Sequence, residues 1–314
     1  MEIASYESWM RSQVIELFAM EYGVSPEQFE ELFVQFYEHP FQANKGIRIV
    51  AVEGQKVGGF QSFFYWPIES GGELRLTYQS GNSLVHPDFR GKGLFAKMLN
   101  YIHEPGKGFD FDFLIGFPVQ ASYNSFMRNQ WNNPFDLQWF VRPVSPLRSF
   151  IGDENKRNER FYGSRVPQTL HLPQSHTGVA QHLEFDNYRF NYQKDPLYRV
   201  AVELNGDRAL FELKSQRRKT LIREMVIGKA AFTSMDSKFV RYAFGELIRQ
   251  VSKCGTSAIL SIAVNPNVSV LVETIRHFQF RPINKKIFFI TKGISPDVRD
   301  WDNWSFFRGD IDTW

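Results

Sequence analysis

Ser83-Leu84-Val85-His86-Pro87-Asp88-Phe89-Arg90-Gly91-Lys92-Gly93-Leu94-Phe95 decides how this chain reads. A strand ends at Val85, and His86-Pro87-Asp88 turns the chain. Gly91 and Gly93 follow, and then Leu94, Phe95, Met98, Leu99 and Ile102 mark one face of a helix. A strand, a glycine-bearing loop and a helix start together point several backbone N–H groups at one spot. The helix dipole adds partial positive charge there. Gly91 and Gly93 let the backbone approach a ligand closely, and Arg90 and Lys92 add charge-assisted contacts. A pyrophosphate fits such a trap.

The segments around this loop alternate in a definite order. Val14, Leu17 and Phe18 mark a first helix. Ser25-Pro26-Glu27-Gln28 starts a second, with a Ser cap, Pro at the first helical position and a capping box closed by Gln28. Strands are expected over 48–52, 57–65 and 74–85, then the loop and its helix, which Pro105-Gly106 stops. A buried strand over 111–117, a helix over 121–130 and a strand over 137–141 complete the first half. From 145 to 196 the pattern decays, and 153–160 is densely charged. The second half repeats the order: a hairpin around Asn205-Gly206-Asp207, a strand from 220 to 227, a helix capped by Asp236 or Ser237 and ended by Gly255, and then strand, helix, strand. The repeat is one of architecture and not of residues.

The loop string resembles the acyl-CoA signature of the GNAT superfamily, and the match in element order covers residues 1–145. The resemblance implies a mixed α/β fold of two GNAT-like domains, each a mixed, mostly antiparallel sheet flanked by helices. Their expected bounds are 1–145 for the domain with the loop, 146–196 for a connecting segment and 197–292 for a second domain. An aromatic and acidic tail over 293–314 follows. It also implies that the backbone at Leu84 and Val85 holds the pantetheine arm, Val85 lying where the acyl carbonyl is polarised. The backbone from Arg90 through Gly91, Lys92, Gly93 and Leu94 to Phe95 would hold the pyrophosphate. The donor is then acetyl-CoA or a close acyl relative, and the acceptor a small primary amine, an amino sugar among the candidates.

The segment from Gly116 to Trp131 resembles a second family region but departs from it. Val119 stands where the family has Asn, and Phe126 where it has the Tyr that protonates the departing thiolate. Tyr123, one helical turn earlier, is the substitute acid, with packing as its other reading. Glu73, His86 and Asp88 are the ionisable groups near the strand and loop, and a base supplied by the second half is a further option. Residues 228–235 lack the glycine loop, so no second cofactor site is expected. Two rival functions stay open: a non-catalytic acyl-CoA-binding or scaffold protein, and a Fem-like aminoacyl transferase.

Composition bounds the rest. The 314 residues carry 31 Phe, which calls for Phe-rich cores, and a net charge of +3, too small for a nucleic-acid stripe. A single cysteine, Cys254, excludes a disulfide within the chain. The start of the chain is unlike a signal peptide and no apolar run is long enough to span a membrane, so a cytoplasmic location is expected. The seven His have no metal-ligand spacing, and no metal is expected. The tail, with Trp301, Trp304, Phe306, Phe307 and Trp314 among five Asp, reads as docked on a core, or as a source of carboxylates for an amine pocket.

Overall fold

The computed structural model describes residues 1–144, 157–158, 162, 170, 175–180, 182–191, 196–218 and 222–312. Most of the expected connecting segment, including all of its charged stretch but 157–158, and Trp314 lie outside the described residues. The first half runs β1 (Glu2–Ser5), α1 (Arg11–Tyr22), α2 (Pro26–Phe33), α3 (Pro40–Ala43), β2 (Ile47–Glu53), β3 (Lys56–Tyr65), β4 (Ile68–Ser70), β5 (Glu73–Arg75), β6 (Thr77–Val85), α4 (Leu94–Tyr101), β7 (Phe113–Gly116), α5 (Gln120–Arg128) and β8 (Asn132–Pro143). Then come β9 (Thr177–Val179), α6 (Leu183–Asn191), β10 (Leu197–Leu204), β11 (Asp207–Arg218), β12 (Ile222–Phe232), α7 (Ser237–Cys254), β13 (Ile259–Val264), α8 (Ser269–His277) and β14 (Arg281–Lys292).

Local signals act as their chemistry dictates. Ser25 Oγ accepts from Gln28 N at 3.3 Å while Gln28 Oε1 accepts from Ser25 N at 3.1 Å, the expected capping box. The expected strand 74–85 is divided. Leu76 N donates to Asp112 Oδ2 at 2.7 Å, β5 pairs with β4 in a small side sheet whose other edge is β9, and only β6 joins the main sheet. The edge strand β1 gives no periodic signal, because its four residues take their register from β2 alone.

Eleven strands form one sheet in the order β1-β2-β3-β6-β7-β14-β8-β13-β12-β11-β10. Every neighbouring pair is antiparallel except β6–β7 and β12–β13. Leaving out the edge strand β1, the order is symmetric about the β14–β8 pair. β14, from the second half, lies between β7 and β8 of the first, and β8 lies between β14 and β13 of the second. Each half therefore receives its inner strand from the other. The cores are rich in Phe, as the composition requires; Phe18 and Phe29, for example, stack with ring centroids 4.5 Å apart. Among the described residues no helix is long and apolar enough to cross a membrane.

Candidate functional site

β6 and β7 run parallel only from Thr77↔Phe113 to Ser80↔Gly116. Beyond that point they separate, for two reasons. On β7, Phe117 is followed by Pro118, which has no N–H to extend the ladder. On β6, the register against β3 steps from Gly81↔Ser62 to Leu84↔Phe60, so Asn82 and Ser83 together face Gln61. This is a β-bulge, with Asn82 in the left-handed region at φ 48. Side chains fix it: Ser62 Oγ donates to Gly81 O at 2.6 Å, Asn82 Nδ2 donates to Tyr37 Oη at 2.8 Å, and Ser83 Oγ donates to Gln61 Oε1. The gap so opened is a cavity of about 300 Å³ between Ser80–Ser83 and Phe117–Val119, closed by Tyr22, Ser122, Phe126 and Asp312.

The glycine loop lies after the bulged strand. Leu84 and Val85 are its last two residues, paired with Phe60 and Gly59. Gly91 and Gly93 have φ of 79 and 70, and Gly93 caps α4. A helix beginning at Leu94 leaves its first N–H groups without acceptors of its own. Leu94 is buried and anchors the turn, while Gly91, Lys92 and Gly93 are exposed. Arg90 is turned to the protein: its Nη2 meets Glu21 at 2.9 Å and its Nε donates to Val85 O at 3.0 Å. Lys92 Nζ lies 4.9 Å from the centre of the Phe89 ring. Phe95 packs edge-on against Phe126 at 5.3 Å.

Of the residues singled out on α5 and before it, Val119 is 70% exposed and Phe126 is buried; both line the cavity. Tyr123 does not line it. Its ring stacks on Phe288 at 4.2 Å and its hydroxyl donates to Asn133 Oδ1 at 3.3 Å. The two candidates are one turn apart, but only Phe126 is brought to the gap.

Asp312 is the carboxylate that sequence reasoning did not single out. A Cβ added to Gly81 would stand 2.9 Å from Asp312 Oδ2, so the carboxylate lies directly over the bulged strand. The aromatic and acidic tail carries it there. Trp304 and Phe306 are buried in the main core, Trp304 Nε1 donates to Val298 O at 2.9 Å, and Asn265 Nδ2 donates to Trp304 O at 2.9 Å. Burial raises the pKa of Tyr22 and Tyr37, and the charge of Asp312 adds to both. The signal for Asp312 is the tail itself: aromatics dense enough to dock, with carboxylates between them.

No protein-family model matches the sequence, and no curated protein sequence does. Solved structures do match. A GCN5-related N-acetyltransferase from Anabaena variabilis is 10% identical with a TM-score of 0.64, over 94% of this chain and 73% of that one. A GCN5-related N-acetyltransferase from Kribbella flavida is 11% identical with a TM-score of 0.58, over 93% and 71%. Saccharomyces cerevisiae N-myristoyltransferase with bound myristoyl-CoA is 13% identical with a TM-score of 0.50, over 99% and 88%. The chain has the GNAT fold.

The second GNAT-like half repeats the splay and then fills it. β12 runs parallel to β13 from Glu224↔Ile259 to Ile227↔Ile262, and its register against β11 slips at Gly228, between Glu212↔Lys229 and Leu213↔Ile227. Gly228 thus corresponds to Gly81. Here the tail occupies the gap: Phe307 bridges Val264, and a Cβ on Gly309 would stand 2.4 Å from Gly228 O. The helix start beyond is closed as well. Asp236 Oδ1 accepts from Lys238 N at 3.0 Å and Phe239 N at 3.1 Å, which puts a carboxylate where a phosphate would sit. Two residues of tail, Asp310 and Ile311, therefore separate a filled gap at Gly309 from the open gap at Asp312.

Proposed function

We propose that the chain is an N-acyltransferase that moves a short acyl group, acetyl in the first instance, from coenzyme A to a small primary amine. The observation that carries this reading is the bulged gap between β6 and β7, opening toward the glycine loop at the start of α4. The pyrophosphate rests on backbone N–H groups between Arg90 and Phe95, and the pantetheine arm lies along Leu84 and Val85 in the gap. Phe64 stands 2.9 Å from the place of a Gly81 Cβ, which favours a short acyl group. The amine nitrogen attacks the thioester carbon, and a backbone N–H of the bulged stretch holds the oxyanion that forms. The C–S bond then breaks and the thiolate leaves. Asp312 takes the proton that the amine must lose. Phe126 has no proton to give, and a thiolate departs without one.

Calorimetry should find one acetyl-CoA site per chain, abolished by Gly93→Glu. In a free-thiol assay over a panel of amines, Asp312→Asn should lower kcat by ~10² to 10⁴ with CoA affinity unchanged. Tyr123→Phe should leave kcat nearly unaltered, since that hydroxyl is held by Asn133. Tight CoA binding with no amine acylated would leave the non-catalytic reading in its place.

A further inference from the structure

The end of β7 borders two gaps, one on each flank. Toward β6 lies the first cavity. Toward β14 the ladder stops at Ile290↔Gly116, and beyond it a second cavity of about 450 Å³ lies between Phe117–Gln120 and Ile287–Phe288. The two cavities share the wall Phe117–Val119. The tail crosses both: Ile311 lines the second and Asp312 the first.

The second cavity is walled largely by carbon. Trp139 and Ile311 are buried, Ile287 and Phe288 are half-buried, and Val119 presents an exposed apolar side chain on the shared wall. Its cations already face acids of the protein. Lys286 Nζ lies 2.7 Å from Asp136 Oδ2. The register of β14 on β8 jumps from Pro282↔Phe140 to Lys286↔Gln138, so residues 283–285 stand out from the ladder, and Gln138 Nε2 holds them by donating to Ile283 O at 2.6 Å. Lys285 is thereby laid over Trp139, its ammonium 4.1 Å from the ring centre. Burial lowers the pKa of Lys285, and the charge of Glu224 opposes this. Burial lowers that of Arg308, and the charge of Asp312 opposes it. With each cation so matched, an added anion gains little. What the cavity has to offer is apolar surface, which rewards a carbon body for leaving water.

We infer that the acceptor is an amine borne on an apolar body, an aryl ring or a branched alkyl chain, which lies in this second cavity while its nitrogen faces Asp312. The inference rests on the acyltransferase reading for the amine and on the cavity alone for the apolar body. A cavity of this size takes one ring or a branched chain. The chemistry is that of the first cavity: nitrogen bonds to the acyl carbon, the C–S bond breaks, and Asp312 takes the proton. A small polar amine reaches the carboxylate but leaves the second cavity unused.

The test uses acceptors of one reach: ethanolamine, O-phosphoethanolamine, 3-methylbutylamine and 2-phenylethylamine. The two apolar amines should exceed ethanolamine at least tenfold in kcat/KM, since even one buried methylene is worth about tenfold. Ile287 lines the second cavity and not the first. Ile287→Gln should therefore bring that ratio near one with CoA affinity unchanged, which also shows that the variant folds. Ile287→Phe, which keeps the wall apolar but narrows the cavity, should favour 3-methylbutylamine over 2-phenylethylamine. Independently, 2-phenylethanol, which has no amine, should give saturation-transfer NMR signals with the CoA-loaded protein and lose them in Ile287→Gln. That binding without acylation of any amine keeps the apolar site and sinks the acyltransferase reading. Acylation in which ethanolamine or O-phosphoethanolamine equals 2-phenylethylamine overturns the inference. So do 2-phenylethanol signals that are absent from the wild type or unchanged in Ile287→Gln.

Discussion

Gly81 is the residue at which Asp312, the Phe64 ring and the bulged strand meet. It precedes the bulge, its carbonyl is held by Ser62, and a methyl group there would stand 2.9 Å from both Asp312 Oδ2 and the Phe64 ring. Phe64 is buried and cannot give way, so the Asp312 side chain would move. Gly81→Ala should therefore lower kcat by displacing the carboxylate, at a stability cost of about 1–3 kcal/mol from overpacking. If its effect on kcat passes through Asp312, Gly81→Ala and Asp312→Asn together should cost little more than Asp312→Asn alone. Additive losses would show that Gly81 acts on the donor instead. At this scale the sequence was uneven. The turn through Gly91 and Gly93 into α4 was legible because its conformation needs local residues only. Asp312 was not, since its partner lies more than two hundred residues away and no periodicity records such a contact. The surroundings of Tyr123 were not legible for a related reason: spacing on α5 gives its face, but Phe288 on a distant strand decides what that face touches.

At the scale of elements, the tail joins two functions that the sequence presented as alternatives. It is docked on a core, and it delivers a carboxylate. Its anchor is a close backbone approach, Gly309 against Gly228, beside a buried ion pair in which Lys229 Nζ lies 3.7 Å from Asp310 Oδ1. Burial raises the pKa of Asp310, and Lys229 and Arg189 act against it. Gly309→Ala sets a methyl group 2.4 Å from a backbone oxygen that has no rotamer to yield. The tail should lift, the melting temperature should fall, and kcat should fall with it because Asp312 rides on the same segment. Asp312→Asn should lower kcat without the thermal change. A Gly309→Ala protein of wild-type kcat would mean that the tail does not position the base. The helices were legible from capping and apolar spacing, and so were most strands. The bulges in β6, β12 and β14 were not, because a register slip exists only between two strands and neither one displays it alone.

The whole molecule is held by an exchange that no segment shows by itself. Element order revealed two similar halves, 1–145 and 197–292. The sheet interleaves their strands, with β14 between β7 and β8, and β8 between β14 and β13. A fragment of residues 1–194 would leave β7 with one bare edge and β8 with two, beside apolar faces that Phe289 and Ile290 of β14 now cover. Unpaired edges over an open core favour aggregation. The fragment 195–314 would lose β8 from β13 in the same way. Each fragment alone should thus fail to give a folded monomer. Made together they should co-purify and bind acetyl-CoA, since the loop, the bulge and the tail are then all present. The same geometry governs heat unfolding of the intact chain. Two side-by-side domains would melt in two steps, whereas halves that complete each other's sheet unfold as one cooperative unit. Scanning calorimetry should show a single transition with equal calorimetric and van't Hoff enthalpies. Two resolved transitions, or a 1–194 fragment that folds and binds acetyl-CoA unaided, would show that the exchanged strands are an ornament on two independent domains. A single transition together with rescue only on co-expression would make the exchange the reason why Asp312, from the far end of the chain, is held over Gly81.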